Sequence, residues 1–183
     1  LPRAEDYPPA IDSDGWASFN GPGQIVPEEY PAHGGAKYVE PCLKATFADG
    51  VRDVVLKFDR AEMRATELDL HLRDVAYPLE VILHYRVHEA YDLIERWVTV
   101  INHGAAPIVL ERIWSAQWHL PQGQTYRLTH LSGRWNDENH WQRDVLSPGL
   151  KIIESRRLTT SHHHQPWFAI DRGNATEDSG EVW

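Results

Sequence analysis

The feature that most constrains the fold is a ten-residue segment, 79–88, in which apolar and polar side chains alternate along most of its length. Successive side chains of a β-strand point to opposite faces of the sheet, so one face of this segment is apolar and the other is mostly charged. The pattern predicts an antiparallel strand with one buried and one solvated face. The residues on the predicted buried face are Leu79, Val81, Leu83, Tyr85 and Val87.

Further strand-like segments follow one another at the spacing typical of β-sandwiches and barrels. They are residues 43–47, 51–58, 67–72, 93–102, 108–120, 126–131, 150–154 and 167–170. Turn residues at 48–50 and 102–107 predict that the segments on either side of each turn pair as hairpins. A helical pattern of ten residues is not found, and residues 59–64 are predicted to form a single helical turn at most. The sequence therefore predicts an all-β fold, a large antiparallel β-sandwich.

The first 35 residues differ in character from the rest of the chain. They are rich in Pro, Gly and Asp without sustained periodicity, which predicts an irregular arm over residues 1–35. Residues 36–183 are predicted to form the sandwich, because a chain of 183 residues is long enough for one hydrophobic core. The chain begins at Leu1 rather than Met, and we expect it to be part of a longer protein.

Charge and cysteine content exclude several classes of partner. The formal net charge of -9 disfavours nucleic acid, whose phosphates are bound by clustered Lys and Arg. Apolar runs fall short of the about 20 residues that span a bilayer, and the N-terminus lacks the features of a signal peptide. The single cysteine, Cys42, excludes an intramolecular disulfide and is interpreted as a buried, inert thiol rather than a nucleophile. We expect a cytoplasmic protein without cofactors that binds neither nucleic acid nor membranes.

Histidines and carboxylates offer weak candidates for chemistry. His162 and His164 would share a strand face, but a zinc site needs three or four converging ligands, so we expect no metal site. A glycosidase needs two carboxyl groups about 5–10 Å apart across the sugar. Glu177 and Asp178 are adjacent and would point to opposite faces of a strand. No catalytic residue is therefore assigned within this chain.

The best candidate for a binding site is the segment around Trp135. Ser132-Gly133 predicts a tight turn that exposes Arg134 and Trp135, and the chain has eight Trp against four Phe. An exposed indole beside a guanidinium could bind sugar, because the ring stacks on C–H faces while the guanidinium contacts hydroxyls. Alternatively, Trp135 fills the edge of a sandwich and Arg134 pairs with Asp137 or Glu138. The residues alone leave both interpretations open.

Four sequence blocks in this part of the chain resemble a known family. They are Leu-Ser-Gly-Arg-Trp-Asn-Asp-Glu at 131–138, Ile-Glu-Ser-Arg-Arg at 153–157, Ser-His-His-His-Gln-Pro at 161–166 and Ala-Thr-Glu-Asp-Ser-Gly-Glu-Val at 175–182. With weaker matches at 27–34, 47–53 and 91–104, they resemble the N-terminal β-domain of microbial α-galactosidases of glycoside hydrolase family 36. This domain is a supersandwich, related to that of galactose mutarotase, and precedes a (β/α)₈ barrel.

The resemblance implies a function that depends on the rest of the enzyme. The two catalytic Asp residues of the retaining mechanism belong to the barrel, which is expected after residue 183. The chain is then a non-catalytic domain of a carbohydrate-degrading hydrolase that acts on melibiose- or raffinose-type α-galactosides. Its implied partners are its own barrel and the other subunits of a homotetramer. Trp135, with Arg134, would contact the terminal galactose in a neighbouring subunit's pocket.

Three positions depart from the family pattern. Gln24 and Lys37 stand where the family usually has Asp, and Val39 stands where some members have an Arg that contacts substrate. Val39 cannot replace the fork of donors on a guanidinium, which puts the usual oligosaccharide preference in question.

Two other classes of function remain open. One is a free-standing carbohydrate-binding module, which would bind galactosides without a barrel. The other is a self-contained sugar epimerase, which needs a His and a Glu converging in one cleft. His84, His119 and Glu177 are its candidate residues.

Overall fold

The computed structural model describes residues 28–34, 39–121, 125–156, 163–180 and 182. These residues form nine β-strands and one short 3₁₀ turn, Glu89–Tyr91. The strands are β1 (Leu43–Thr46), β2 (Leu56–Arg64), β3 (Glu67–Asp74), β4 (Leu79–His88), β5 (Leu93–Asn102), β6 (Val109–Ile113), β7 (Arg127–Arg134), β8 (Asp137–Val145) and β9 (His163–Asp171). All ladders between strands are antiparallel, which confirms the predicted all-β class. The chain divides into two compact units between His119 and Leu120.

The first unit contains a four-stranded sheet in the order β2-β3-β4-β5. Leu83 of β4 lies opposite Leu70 of β3 and Val98 of β5, so apolar side chains line up across one face. Leu79, Val81 and Leu83 are buried, as the alternation predicts, while Val87 at the end of β4 is exposed. The opposite face carries Asp, Glu, Arg and His side chains.

A two-stranded sheet, β1 with β6, supplies the other side of this core. Leu43 and Ala45 of β1 are buried together with Cys42 and Phe47. Burial raises the pKa of the Cys42 thiol to about 11, in keeping with an inert cysteine. Full burial of a leucine-sized side chain stabilises a fold by about 1.5–3 kcal/mol, so this cluster anchors the unit.

The segment 28–34, which we call the strap, crosses the core beside β1. Ala32 forms a parallel bridge with Leu43, and Cys42 N–H donates to the Pro31 carbonyl at 2.8 Å. Val54 N–H donates to the His33 carbonyl at 3.0 Å. A Cβ on Gly34 would overlap the backbone of Val54, so this close approach requires glycine. Residues 1–27, most of the predicted arm, lie outside the described residues.

Both predicted hairpins are wrong, although the turns themselves exist. Gly50 adopts a φ of 86° in a turn where Phe47 N–H donates to the Val51 carbonyl at 2.8 Å. However, β1 pairs with β6, and the following strand, β2, pairs with β3. In the same way β5 pairs with β4 rather than with β6. The turns carry the chain from one sheet to the other instead of folding it back on itself.

Three further local predictions differ from the structure. Residues 59–64 belong to β2, where they pair with β3, and not to a helical turn. Residues 150–154 are irregular rather than a strand. The sequence did not indicate β8, because its residues, Asp-Glu-Asn-His-Trp-Gln-Arg-Asp-Val, lack apolar alternation.

The second unit contains a three-stranded sheet in the order β8-β7-β9. Strand β8 lies at the edge and β7 in the centre, where Leu128 and His130 are buried. Register shifts near Ser132 distort both ladders close to the β7–β8 turn. In the described part of the chain, no helix is long and apolar enough to span a bilayer.

Candidate functional site

The β7–β8 hairpin presents Trp135 at its tip. Arg134 and Asp137 are paired across the hairpin, which leaves Trp135 and Asn136 as the two turn residues. Asn136 has a φ of 61°, a left-handed conformation that Asn tolerates better than most residues. The Trp135 side chain is 81% exposed. Within the chain, the indole is therefore presented outward and does not fill a sandwich edge.

Hydrogen bonds hold the residues around the tip. Arg134 Nε donates to Asp137 Oδ2 at 3.2 Å, while His140 Nε2 lies 2.5 Å from Asp137 Oδ1. These contacts, that of His140 first, lower the pKa of the Asp137 carboxyl. Asn136 N–H donates to Glu138 Oε1 at 2.9 Å. The pairing of Arg134 with Asp137 was one of the sequence alternatives, and it engages the Arg134 guanidinium next to the turn.

Gly133 lets the two strands approach closely just before the tip. A Cβ at this position would lie 2.7 Å from Glu138 Cα and 2.8 Å from the Asp137 carbonyl oxygen. Real Cβ atoms do not approach backbone atoms so closely, so a side chain here would force the strands apart. The prediction of a turn at Ser132-Gly133 is wrong, because both residues belong to β7 and the turn lies at Trp135-Asn136. The glycine is needed instead for the close approach of β8.

The described histidines of the run are not brought together with enough other ligands for a metal ion. His162 lies outside the described residues, while His163 and His164 are successive residues of β9. His164 packs near His130, with 5.4 Å between ring centroids. Among the described residues, no group of three or more His, Cys, Asp or Glu side chains could hold a metal ion.

Glu177 and Asp178 lie in the loop after β9 and are exposed. The loop is closed by a turn in which Thr176 N–H donates to the Ser179 carbonyl at 2.8 Å. Neither carboxylate is brought to a cavity in the described part of the second unit.

The carboxylate–histidine contacts of the first unit lie on the polar face of the four-stranded sheet. His84 Nδ1 is 2.6 Å from Asp69 Oδ1 and its Nε2 is 2.9 Å from Thr99 Oγ1. His119 Nε2 lies 3.3 Å from the Glu28 carbonyl oxygen, a backbone group rather than a carboxylate.

Glu80 is the most strongly engaged carboxylate on that face. It is 3% exposed, and its Oε1 lies 2.7 Å from His71 Nδ1 while its Oε2 contacts His103 Nε2. These bonds, His71 first, lower the pKa of Glu80 to about 2. The two cavities described in the first unit are lined by other residues. The convergence of His and Glu thus occurs on a sheet face rather than in a cleft, which counts against the epimerase interpretation.

Sequence reasoning missed this cluster, since the pairing depends on register. His71 and Glu80 sit on neighbouring strands, with Arg73 directly opposite Glu80. The available signal was Glu80 itself, one of the polar residues in the alternating pattern of β4. It becomes informative only when the strand that pairs with β4 is known.

A second unpredicted cluster fixes the strap to the sheet. The side chain of Arg96 is 3% exposed. Its Nη1 lies 2.8 Å from Glu29 Oε1, which makes an ion pair, although the geometry is not that of a hydrogen bond. Its Nη2 donates to the Glu29 carbonyl at 3.0 Å, and its guanidinium lies over the rings of Tyr85 and Trp118. Tyr85 Oη donates to Glu29 Oε1 at 2.5 Å.

Of the three positions that depart from the family pattern, only Val39 is described. It lines a cavity of about 200 Å³ together with His33, Arg52 and Asp53. Arg52 binds Glu111 with its Nε at 2.9 Å and its Nη2 at 2.5 Å. Gln24 and Lys37 lie outside the described residues.

The chain matches a known family along nearly its whole length. Residues 6–183 match the model of the glycosyl hydrolase family 36 N-terminal domain. Alpha-galactosidase AgaA of Geobacillus stearothermophilus is 30% identical over 175 residues, which cover 85% of this chain and 24% of the relative. Alpha-galactosidase 2 of Pediococcus pentosaceus is 37% identical over 117 residues, 64% of this chain and 16% of the relative. The chain spans about a quarter or less of the length of these curated relatives.

Solved structures of family 36 α-galactosidases are similar to this chain. Family 36 α-galactosidase AgaB from Geobacillus stearothermophilus superposes with a TM-score of 0.77 at 30% identity, covering 86% of this chain and 24% of the other. A variant of AgaA from the same organism, in complex with raffinose, gives a TM-score of 0.76 at 29% identity, covering 85% and 24%. The likeness confirms the predicted all-β sandwich class.

Proposed function

Because the chain belongs to the family of glycoside hydrolase family 36 N-terminal domains, we propose that it serves a retaining α-galactosidase as a non-catalytic domain. The proposed substrates are terminal α-galactosides of the melibiose and raffinose type. Support comes from the relatives, which are α-galactosidases, and from the raffinose complex of one of them. The carboxylate pair for the double displacement belongs, in this proposal, to a barrel outside these residues.

The domain contributes Trp135 to substrate binding. The observation that carries this part of the proposal is the exposure of Trp135, 81%, on a hairpin tip held by Asp137 and Glu138. A flat, exposed ring on such a turn can stack on the C–H face of a galactose unit, and an indole has few rotatable bonds to immobilise on binding. Arg134 Nε is engaged by Asp137, so the remaining guanidinium donors are available to sugar hydroxyls.

The indole acts in a neighbouring subunit's pocket. Within the second unit, Trp135 is not among the residues that line the described cavity. An exposed aromatic side chain with no pocket of its own is typical of a residue that completes a binding site across an interface. We therefore propose a homo-oligomer, a tetramer as the family resemblance implies, in which the hairpin tip closes on the sugar bound by the partner's barrel.

The activity is tested on the full-length protein with an aryl α-galactoside. We expect hydrolysis with retention of the anomeric configuration, followed by NMR of the first-formed sugar. An inverted product, or no hydrolysis by a folded full-length protein, would refute the proposal. Mass measurement of the native assembly tests the oligomer separately, and a monomer that binds substrate normally would remove the cross-subunit role of Trp135.

A further inference from the structure

The second unit contains a cavity of about 600 Å³ on one face of its three-stranded sheet. Leu128, Phe168 and Ile170 contribute from the strands, and Leu146, Leu150 and Ile153 from the irregular segment that follows β8. Small-molecule sites have volumes of roughly 300–1,000 Å³ and combine an apolar lining with a few polar groups. The cavity fits this description, and Trp135 is not part of it.

His164, which lines this cavity, and His130, which packs against His164, have ring nitrogens that find no hydrogen-bond partner among the described residues. His164 lines it, and its buried Nδ1 has no partner among the described residues. His130 is 3% exposed, packs against His164, and lacks a partner for both ring nitrogens in the same part of the chain. Asp144 Oδ2 is 3.7 Å from His130 Nε2, beyond hydrogen-bond reach. Buried polar groups are nearly always hydrogen-bonded, so unpartnered ones beside a cavity indicate a ligand.

The charges around the cavity indicate a neutral ligand. Lys151 is paired with Asp144, and Glu154 with Arg156 at 2.9 Å, so the charged groups at the rim compensate one another. Burial, followed by the charge of Lys151, lowers the pKa of His130. A neutral imidazole donates through one nitrogen and accepts through the other. A hydroxyl group, which also both donates and accepts, is its natural partner.

Aromatic rings at the cavity offer a surface on which a ligand ring can stack. Trp167 and Phe168 line the cavity and keep about half of their surface exposed. Such rings stack on the C–H faces of saturated rings. We propose that this cavity binds a neutral, hydroxylated ring of the pyranose class, with His164 as its hydrogen-bonding residue and Phe168 as its stacking face. This is an accessory site, separate from Trp135, and it goes beyond the proposed role of the hairpin tip.

The test is a titration of the 183-residue chain with methyl α-D-galactopyranoside, followed through the imidazole ¹⁵N resonances. We expect saturable shifts at His130 and His164. His164→Phe keeps a ring of similar shape but removes the nitrogens, and it should weaken binding about tenfold, the usual effect of one lost hydrogen bond. His163→Phe is the matched control, since His163 is exposed and does not line the cavity, and it should bind normally.

A second variant, Leu150→Trp, tests the proposal even if His164→Phe does not fold. Leu150 is an exposed lining residue, so Leu150→Trp fills the cavity without disturbing the sheet, and it should abolish the shifts. Undiminished binding by Leu150→Trp, or shifts that do not saturate, would overturn the proposal. Loss of binding in Trp135→Ala with an intact His164 would also overturn it, because the sugar would then be held at the hairpin tip. That last outcome would leave the proposed α-galactosidase function standing.

Discussion

Replacing Glu80 with Gln should destabilise the first unit in a pH-dependent way. The pKa of Glu80 is lowered from 4.5 to about 2 by its bonds to His71 and His103. One pKa unit corresponds to about 1.4 kcal/mol, so the shift favours the folded state by about 3 kcal/mol at neutral pH. His103 is half exposed and its share is screened by water, which reduces the expected loss to about 2 kcal/mol.

The direction of the pH effect follows from the lowered pKa. A carboxyl group with a depressed folded-state pKa stabilises the fold above its unfolded pKa, here near 4.5, and loses that contribution as the pH falls towards about 2. The difference in unfolding free energy between wild type and Glu80→Gln should therefore be full above about pH 5 and shrink below it. Carboxylates that share no partner with Glu80 contribute equally to both proteins and cancel in this difference.

The measurement is urea unfolding followed by the amide NMR signals of β3 and β4, which report on the first unit alone. Glu95→Gln is the matched control, because Glu95 lies on the same face and pairs with Arg86 and His88, but its side chain is about half exposed whereas that of Glu80 is buried. Surface pairs of this kind contribute about 0–1 kcal/mol. A destabilisation by Glu80→Gln that stays constant from about pH 6 to about pH 3 would refute the reasoning, because a lost packing contact has no such pH dependence.

Three further outcomes are expected. Trp135→Ala in the full-length protein should raise KM by about 5- to 150-fold, which corresponds to the loss of about 1–3 kcal/mol of stacking, while the exposed position leaves the fold intact. Unchanged steady-state kinetics would make Trp135 structural only. Gly133→Ala should destabilise the second unit by about 1–3 kcal/mol in thermal unfolding, since its Cβ would overlap the backbone of Glu138; an unchanged Tm would contradict the close approach of the two strands. Cys42, with a pKa raised to about 11 by burial, should react with a thiol reagent far more slowly in the native chain than in urea; equal rates would contradict its burial.

The sequence predicted those features that depend on local pattern. Strand β4 alternates clearly, and its burial follows from residues two apart. A turn near Trp135 was also predicted, although it was placed at Ser132-Gly133 rather than at Trp135-Asn136. Pairing partners were not predictable in the same way, because β1 joins β6 across more than sixty intervening residues. A turn signal such as Asp49-Gly50 indicates that the chain changes direction, but not with which strand the following segment pairs.

The clusters around Glu80 and Arg96 depend on such long-range placement. His71 and Glu80 meet only once β3 and β4 adopt their register, and Glu29 reaches Arg96 only when the strap lies over the sheet. The edge strand β8 was missed for another reason. Its polar residues are tolerated because it lies at the edge of its sheet, so burial imposes no apolar pattern on it.

The pairing of β1 with β6 sets an order in which the first unit can be assembled during synthesis. Strands β2 to β5 are successive neighbours, so this meander can form as each strand leaves the ribosome. Strand β1 is synthesised earlier but can pair only after β6 has been synthesised. Likewise, the hydroxyl of Tyr30 donates to the Trp114 carbonyl at 2.9 Å, a bond that can form only after Trp114 has been added. Until then β1 lacks its neighbouring strand and the Tyr30 hydroxyl lacks its acceptor. A nascent chain that stalls before β6 emerges would therefore leave core residues of β1 and of the strap exposed on that side, and the emergence of residues 109–114 supplies their remaining partners.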